Sequence, residues 1–143
     1  MVKQEWISMN WKRAISAWFL IAFAESVHGT LRRLFLVPQI GEKLSHQIGV
    51  VIGSALIFII AWLCIRWIGF GSYRQQLQVG ALWVVLTLIF EFSLGYLFGY
   101  SLERILSDYN IAEGGLMLFG VFFMLFAPVL AARLRGLSER PVR

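Results

Sequence analysis

Residues 47–68 read QIGVVIGSALIFIIAWLCIRWI, and no charged side chain interrupts the run between Ile48 and Ile65. A membrane-spanning helix needs about 20 mostly apolar residues to cross the hydrocarbon core. This run meets that requirement, and three others like it flank it. They cover residues 14–36, 77–100 and 114–134. Apolar residues make up 59 % of the 143-residue chain and charged residues 15 %. A soluble domain usually carries about 25 % charged residues. A soluble globule of this size would be unable to hide so much apolar surface, so the bilayer is the natural solvent. The expected fold is all-α: one domain over residues 1–143, an integral membrane bundle of four transmembrane helices running up-down-up-down.

The connections between the runs are short. Pro38 and Gly41 are expected to break the chain after the first span, and Gly69 and Gly71 to turn it after the second. Residues 101–113 form the longest link, punctuated by Asp108, Asn110, Gly114 and Gly115. Within it, residues 102–106 suit a short interfacial helix with Tyr109 at headgroup level. Pro128 is expected to kink or loosen the fourth span.

Orientation follows from the lysines and arginines. Lys3, Lys12, Arg13, Arg66, Arg74, Arg133, Arg135, Arg140 and Arg143, nine in all, fall on the side that holds both termini. Arg32, Arg33, Lys43 and Arg104, four in all, fall on the other. The excess places both termini in the cytoplasm and the chain in the inner (plasma) membrane. Trp11, Trp67 and Tyr73 sit at the inner aromatic belt, and Tyr96, Tyr100 and Tyr109 at the outer one. The formal charge of +5 does not imply nucleic acid, because the basic residues flank apolar runs instead of forming one stripe. A competing reading is a signal peptide, with Lys12 and Arg13 before an apolar run that ends in Ala22-Phe23-Ala24. The apolar pattern resumes at Val27, Leu31, Leu34, Phe35 and Leu36, which favours an uncleaved first span.

Ionisable residues at depth carry the functional signal. Glu25, His28 and Arg32 follow one another at three and seven residues on one face of the first span, with Gly29 beside them. Glu91 lies in the third span, on a stripe with Thr87 and Gly95. On the inferred topology all four fall in the outer half of the membrane, near the depth of Ser54 and Ser93. A charged side chain at the bilayer centre costs about 2.5–3.5 kcal/mol on insertion scales, so both glutamates are expected to face inward and meet partners. Arg32 and Arg33 are the candidate cations, and His28 is a switchable member of the group. Two readings of this set stay open: a polar, proton-linked site opening outward, or an ion-pair and hydrogen-bond network that fixes helix packing.

No cofactor and no metal are expected. His28 and His46 would be a lone haem pair without supporting spacing. Arg32 opposes a cation bound by Glu25, His28 and Glu91. Cys64 stands alone in an apolar run and is read as a packing residue. Two G-x-x-x-G patterns, Gly49 with Gly53 and Gly95 with Gly99, mark close helix contacts, inside the bundle or along a homodimer seam.

The stretch Ala24-Glu25-Ser26-Val27-His28-Gly29-Thr30 resembles the first helix of small multidrug resistance transporters. That resemblance implies a four-helix protein, working as a dimer, in which Glu25 exchanges protons for a cationic drug. Here Gly29-Thr30 lies one residue further from the glutamate than in that family, and Arg32 and Arg33 would repel a cationic cargo. More of the chain is similar to small four-helix inner-membrane proteins of proteobacteria. The shared features are Glu25 with His28-Gly29, Gly53-Ser54, Arg66-Trp67, Phe90-Glu91, Asp108-Tyr109, Gly114-Gly115 and Ala131-Ala132-Arg133. This second resemblance implies the fold and no function.

Three functions are compatible with these residues. The first is a small channel or proton-linked transporter using Glu25 and Glu91. The second is a non-catalytic accessory or scaffold subunit of a larger membrane complex. The third, and least favoured, is an enzyme acting on a lipid or quinone, with Glu25, His28 and Glu91 as acid/base groups.

Overall fold

The computed structural model describes residues 10–69, 72–107, 110 and 116–136. Lys3, Gly71, Asp108, Tyr109, Gly114, Gly115, Arg140 and Arg143, which figure in the expectations above, lie outside the described residues. The described chain is all-helical, and four of its helical stretches are long and apolar enough to cross a membrane.

The first stretch, Trp11–Ile40, is three segments in series. Helix α1 (Trp11–Leu31) starts at Asn10, whose side chain accepts from the Arg13 amide at 3.2 Å, a standard N-cap. A π-helical turn follows at Arg32–Leu36, then the short α2 (Val37–Ile40). Pro38 explains the widening. It offers no N–H to the preceding turn, and its ring would crowd an ordinary α-turn there, so the helix loosens one turn earlier. Pro38 therefore does not end the helix. Gly41 does, at φ +83°, a conformation that favours glycine.

Helix α3 (Glu42–Ile68) is longer than its apolar run, because residues 42–46, all polar but Leu44, continue the helix. Its 27 residues reach about 40 Å, more than the roughly 30 Å of hydrocarbon. After Gly69 the chain re-enters a helix through a capping box. The Ser72 side chain accepts from the Gln75 amide, and Gln75 accepts from the Ser72 amide. Helix α4 (Tyr73–Leu97) therefore begins four residues before the apolar run does. It stops short of Tyr100, at a turn made by Gly99 with φ +76°. The interfacial α5 (Leu102–Ser107) and the apolar α6 (Met117–Leu134) complete the described chain. Pro128 sits inside α6, buried.

The four long helices pack as a ring: α1 against α3, α3 against α6, α6 against α4, and α4 back onto α1 through a lighter contact. The consecutive helices α3 and α4 sit across the ring from each other. The tightest crossing is at Gly80, where α4 meets the backbone of Leu125 on α6 and a side chain would have no room.

The apolar core lies at one end. Ala14, Ala17, Trp18 and Ile21 of α1 meet Ile57, Ile60, Ala61, Ile65 and Ile68 of α3. Val79 and Trp83 of α4, with Met124, Ala127, Ala131 and Ala132 of α6, close the cluster. Two tryptophans tie it together with their polar atoms satisfied. The Trp83 indole donates to the Ala14 carbonyl at 2.9 Å, and the Trp18 indole donates to the Thr87 hydroxyl at 2.9 Å. Thr87 in turn donates to the Met124 sulfur at 3.3 Å, linking three helices. At the same end Arg13 donates to the Trp67 carbonyl at 2.9 Å and Arg135 to the Trp62 carbonyl at 2.6 Å. Both guanidinium groups also stack over those indole rings. The Asn10 amide bonds the Ile68 carbonyl at 2.8 Å, so the start of α1 is fastened to the end of α3.

Candidate functional site

Away from that core, the α1–α3 contact changes character. The buried residues of α3 there are Ser45 and Gly53, with half-buried Gly49 between them. At i, i+4 and i+8 these three small residues make a furrow along one helix face. The polar face of α1 lies in it, antiparallel, so that rising numbers on α1 meet falling numbers on α3. A Cβ placed on Gly53 would be 2.9 Å from Glu25 Oε2 and 3.3 Å from Oε1. One placed on Gly49 would be 2.8 Å from Arg32 Cδ and 3.8 Å from His28 Cε1. At the far end, the Arg32 Nη1 donates to the Ser45 hydroxyl at 3.2 Å. The first G-x-x-x-G pattern thus serves packing inside the bundle, and it carries side chains of the candidate site instead of bare backbone.

Glu25 is the centre of the group. Its Oε2 lies 3.8 Å from His28 Nδ1, an ion-pair distance too long for a hydrogen bond. Its Oε1 is buried and has no hydrogen-bond partner among the described residues. The Glu91 carboxylate, half-buried on α4, adds its charge to the surroundings of Glu25 from a different helix. Arg32 acts in the same way on His28. Among the described residues His28, read from the sequence as the switchable member of the group, stands at ion-pair distance from Glu25. Arg33, in the π-helical turn, is exposed. The turn's geometry separates the two arginines, one into the furrow and one to the outside.

Glu91 is framed by two anchors on its own helix. One turn before it, Thr87 is held by Trp18 and Met124; one turn after it, Gly95 takes the Ile105 side chain of α5 at 2.6 Å from where a Cβ would be. Gly95 thus seats α5, and Gly99 forms the following turn with open space around it. Among the described residues this second G-x-x-x-G pattern does not join two spans. Ser54 is half-buried beside Gly53 and Ser93 is exposed.

Ser45 was missed as a site residue, because it precedes the apolar run. Ser45 continues the Gly49–Gly53 spacing one turn earlier, and that extended stripe of small residues was the available signal. His46 is half-buried in α3, with its Nε2 buried and unpartnered among the described residues. Among those residues no group of three or more His, Cys, Asp and Glu side chains could hold a metal ion. Comparison with family models, with curated proteins and with solved structures finds no match, so the functional reading rests on this geometry.

Proposed function

We propose that this chain is a small multi-pass membrane protein that moves protons, alone or coupled to a cargo, through a carboxylate site formed by Glu25 and Glu91. The observation that carries this reading is the state of Glu25. A carboxylate kept only as packing glue would have both oxygens engaged by donors, since an unmet polar atom in the membrane is costly. Among the described residues Glu25 instead leaves a buried oxygen without a donor, and the charge of a second carboxylate acts on it. Such a pair is suited to taking up and releasing a proton, which relieves the repulsion between the two groups. A transporter or channel therefore fits better than an accessory subunit whose glutamates are fully paired.

The same reading includes an up-down-up-down course with both termini in the cytoplasm of a cell with an inner (plasma) membrane. It is supported by the excess of lysine and arginine on the termini side and by the bonds of Asn10, Arg13 and Arg135 to the end of α3. On that topology the apolar core occupies the cytoplasmic half, and Glu25, His28, Arg32 and Glu91 the outer half.

The test is proton flux in proteoliposomes loaded with a pH-sensitive dye, driven by a potassium diffusion potential. Flux above empty vesicles is expected, with Glu25→Gln abolishing it and Glu91→Gln reducing it. Flux that survived both substitutions would remove the carboxylate mechanism.

A further inference from the structure

We infer that His28 is the relay that hands protons between the outer surface and Glu25. This inference rests on the carboxylate reading above and adds a second proton-carrying group to it. Three observations converge on His28. It lies one helical turn beyond Glu25 on the same face, and its Nδ1 is 3.8 Å from Glu25 Oε2, a gap that a small rotation of either side chain closes. It packs against the α3 furrow at Gly49, its Cε1 lying 3.8 Å from where a Cβ would be, an ordinary packing distance. It is also a basic group at ion-pair distance from a carboxyl whose other oxygen is buried and unpartnered among the described residues.

The groups around the ring define its role. On α1, Glu25 stands on its inner side and Arg32 on its outer side. Helix α3 offers the uncharged Gly49 against it, with Ser45 and His46 one turn further out. From α4, Glu91 acts on Glu25 behind it. Arg32 is tied to Ser45 and stays protonated under all ordinary conditions, so it cannot pass a proton on. Imidazole can, because it has two nitrogens of matched chemistry. A proton from the outer side binds the unprotonated Nε2 of neutral His28, giving the imidazolium. The Nδ1–H bond then breaks as its proton bonds to Glu25 Oε2. Neutral imidazole and a neutral carboxyl remain, and the charge balances at each step. Exchange of the imidazole tautomer restores the starting state.

The experiment compares wild type, Glu25→Gln and His28→Gln in the same dye-loaded proteoliposomes, with and without imidazole at equal concentration on both sides. Glutamine keeps a polar side chain of similar reach but cannot carry a proton. His28→Gln is expected to lower flux about tenfold, and tens of millimolar imidazole to restore at least half of it above the empty-vesicle background. Glu25→Gln is expected to show no such rescue. Wild-type flux in His28→Gln would overturn the relay, and so would a loss that imidazole does not restore, because that pattern marks a packing role. The underlying reading fails differently: wild-type flux equal to empty vesicles, or unaffected by Glu25→Gln, removes the carboxylate mechanism and the relay with it.

Discussion

Replacing Gly80 by alanine should force α4 and α6 apart. A Cβ at this position would stand 2.7 Å from the Leu125 carbonyl carbon and 3.1 Å from its Cα, and closer still to the carbonyl oxygen. Carbon atoms pack comfortably at about 3.5–4.0 Å, so the helices must part by roughly 1 Å at their tightest crossing. The obstacle is backbone on a continuous helix and cannot rotate away. Overpacking of this kind costs about 1–3 kcal/mol, and a gap approaching 1 Å also forfeits up to about half of each dispersion contact nearby. The contacts at risk are those that Val79 and Trp83 of α4 and Ala127 and Ala131 of α6 make within the core cluster, together with the Thr87–Met124 bond. Alanine returns up to about 1 kcal/mol of helix propensity, which the forfeited dispersion offsets, so the net loss should stay at about 1–3 kcal/mol. Unfolding in mixed detergent–dodecyl sulfate micelles, followed by circular dichroism, measures it. Gly120 in α6 is the control: nothing lies within 4 Å of its would-be Cβ, so Gly120→Ala should be neutral or slightly stabilising. A Gly80→Ala protein as stable as wild type would refute the assigned α4–α6 crossing.

Other consequences follow from the same structure. Thr87→Val removes the acceptor of the Trp18 indole and should cost about 1 kcal/mol, the scale of interhelical hydrogen bonds in lipid; an unchanged unfolding midpoint would contradict that bond. Gly53→Ala meets the mobile end of Glu25 at 2.9 Å instead of backbone, so it should cost less stability than Gly80→Ala yet reduce proton flux; full flux would argue that Glu25 need not lie in the furrow. A fluorescent protein fused to the C-terminus should fluoresce, and alkaline phosphatase fused there should be inactive; the opposite pair of results would invert the topology.

The number of spans was legible because lipid imposes a simple rule, about 20 apolar residues per crossing, and residues 47–68 obey it without ambiguity. The helix ends were less legible, because hydropathy does not register polar residues that remain helical. Residues 42–46 and the Ser72–Gln75 box extend α3 and α4 beyond their apolar runs for that reason. Pro38 signalled a break, but a π-helical turn absorbed it and Gly41 ended the helix. Of the candidate site, the face carrying Glu25, His28 and Arg32 was readable from spacing alone. Which residues α3 would set against that face was not, since the pairing of two helices depends on their register. Gly49 and Gly53 gave half the answer, and Ser45 completed the stripe from outside the apolar run. Gly80 gave no warning at all: it is a lone glycine whose meaning comes entirely from Leu125 on another helix. Trp18 and Trp83 likewise look like any membrane tryptophans until their indole N–H groups are seen to reach Thr87 and Ala14.

The central claim is that Glu25 holds an exchangeable proton within the membrane-spanning part of the protein. A membrane-permeant carbodiimide reacts with a protonated carboxyl in such surroundings, and peptide mass spectrometry locates the adduct. The account predicts modification at Glu25 with proton flux falling in step with its extent. Glu25 left unmodified while the reagent labels other carboxyls, or modified with flux unchanged, would contradict it.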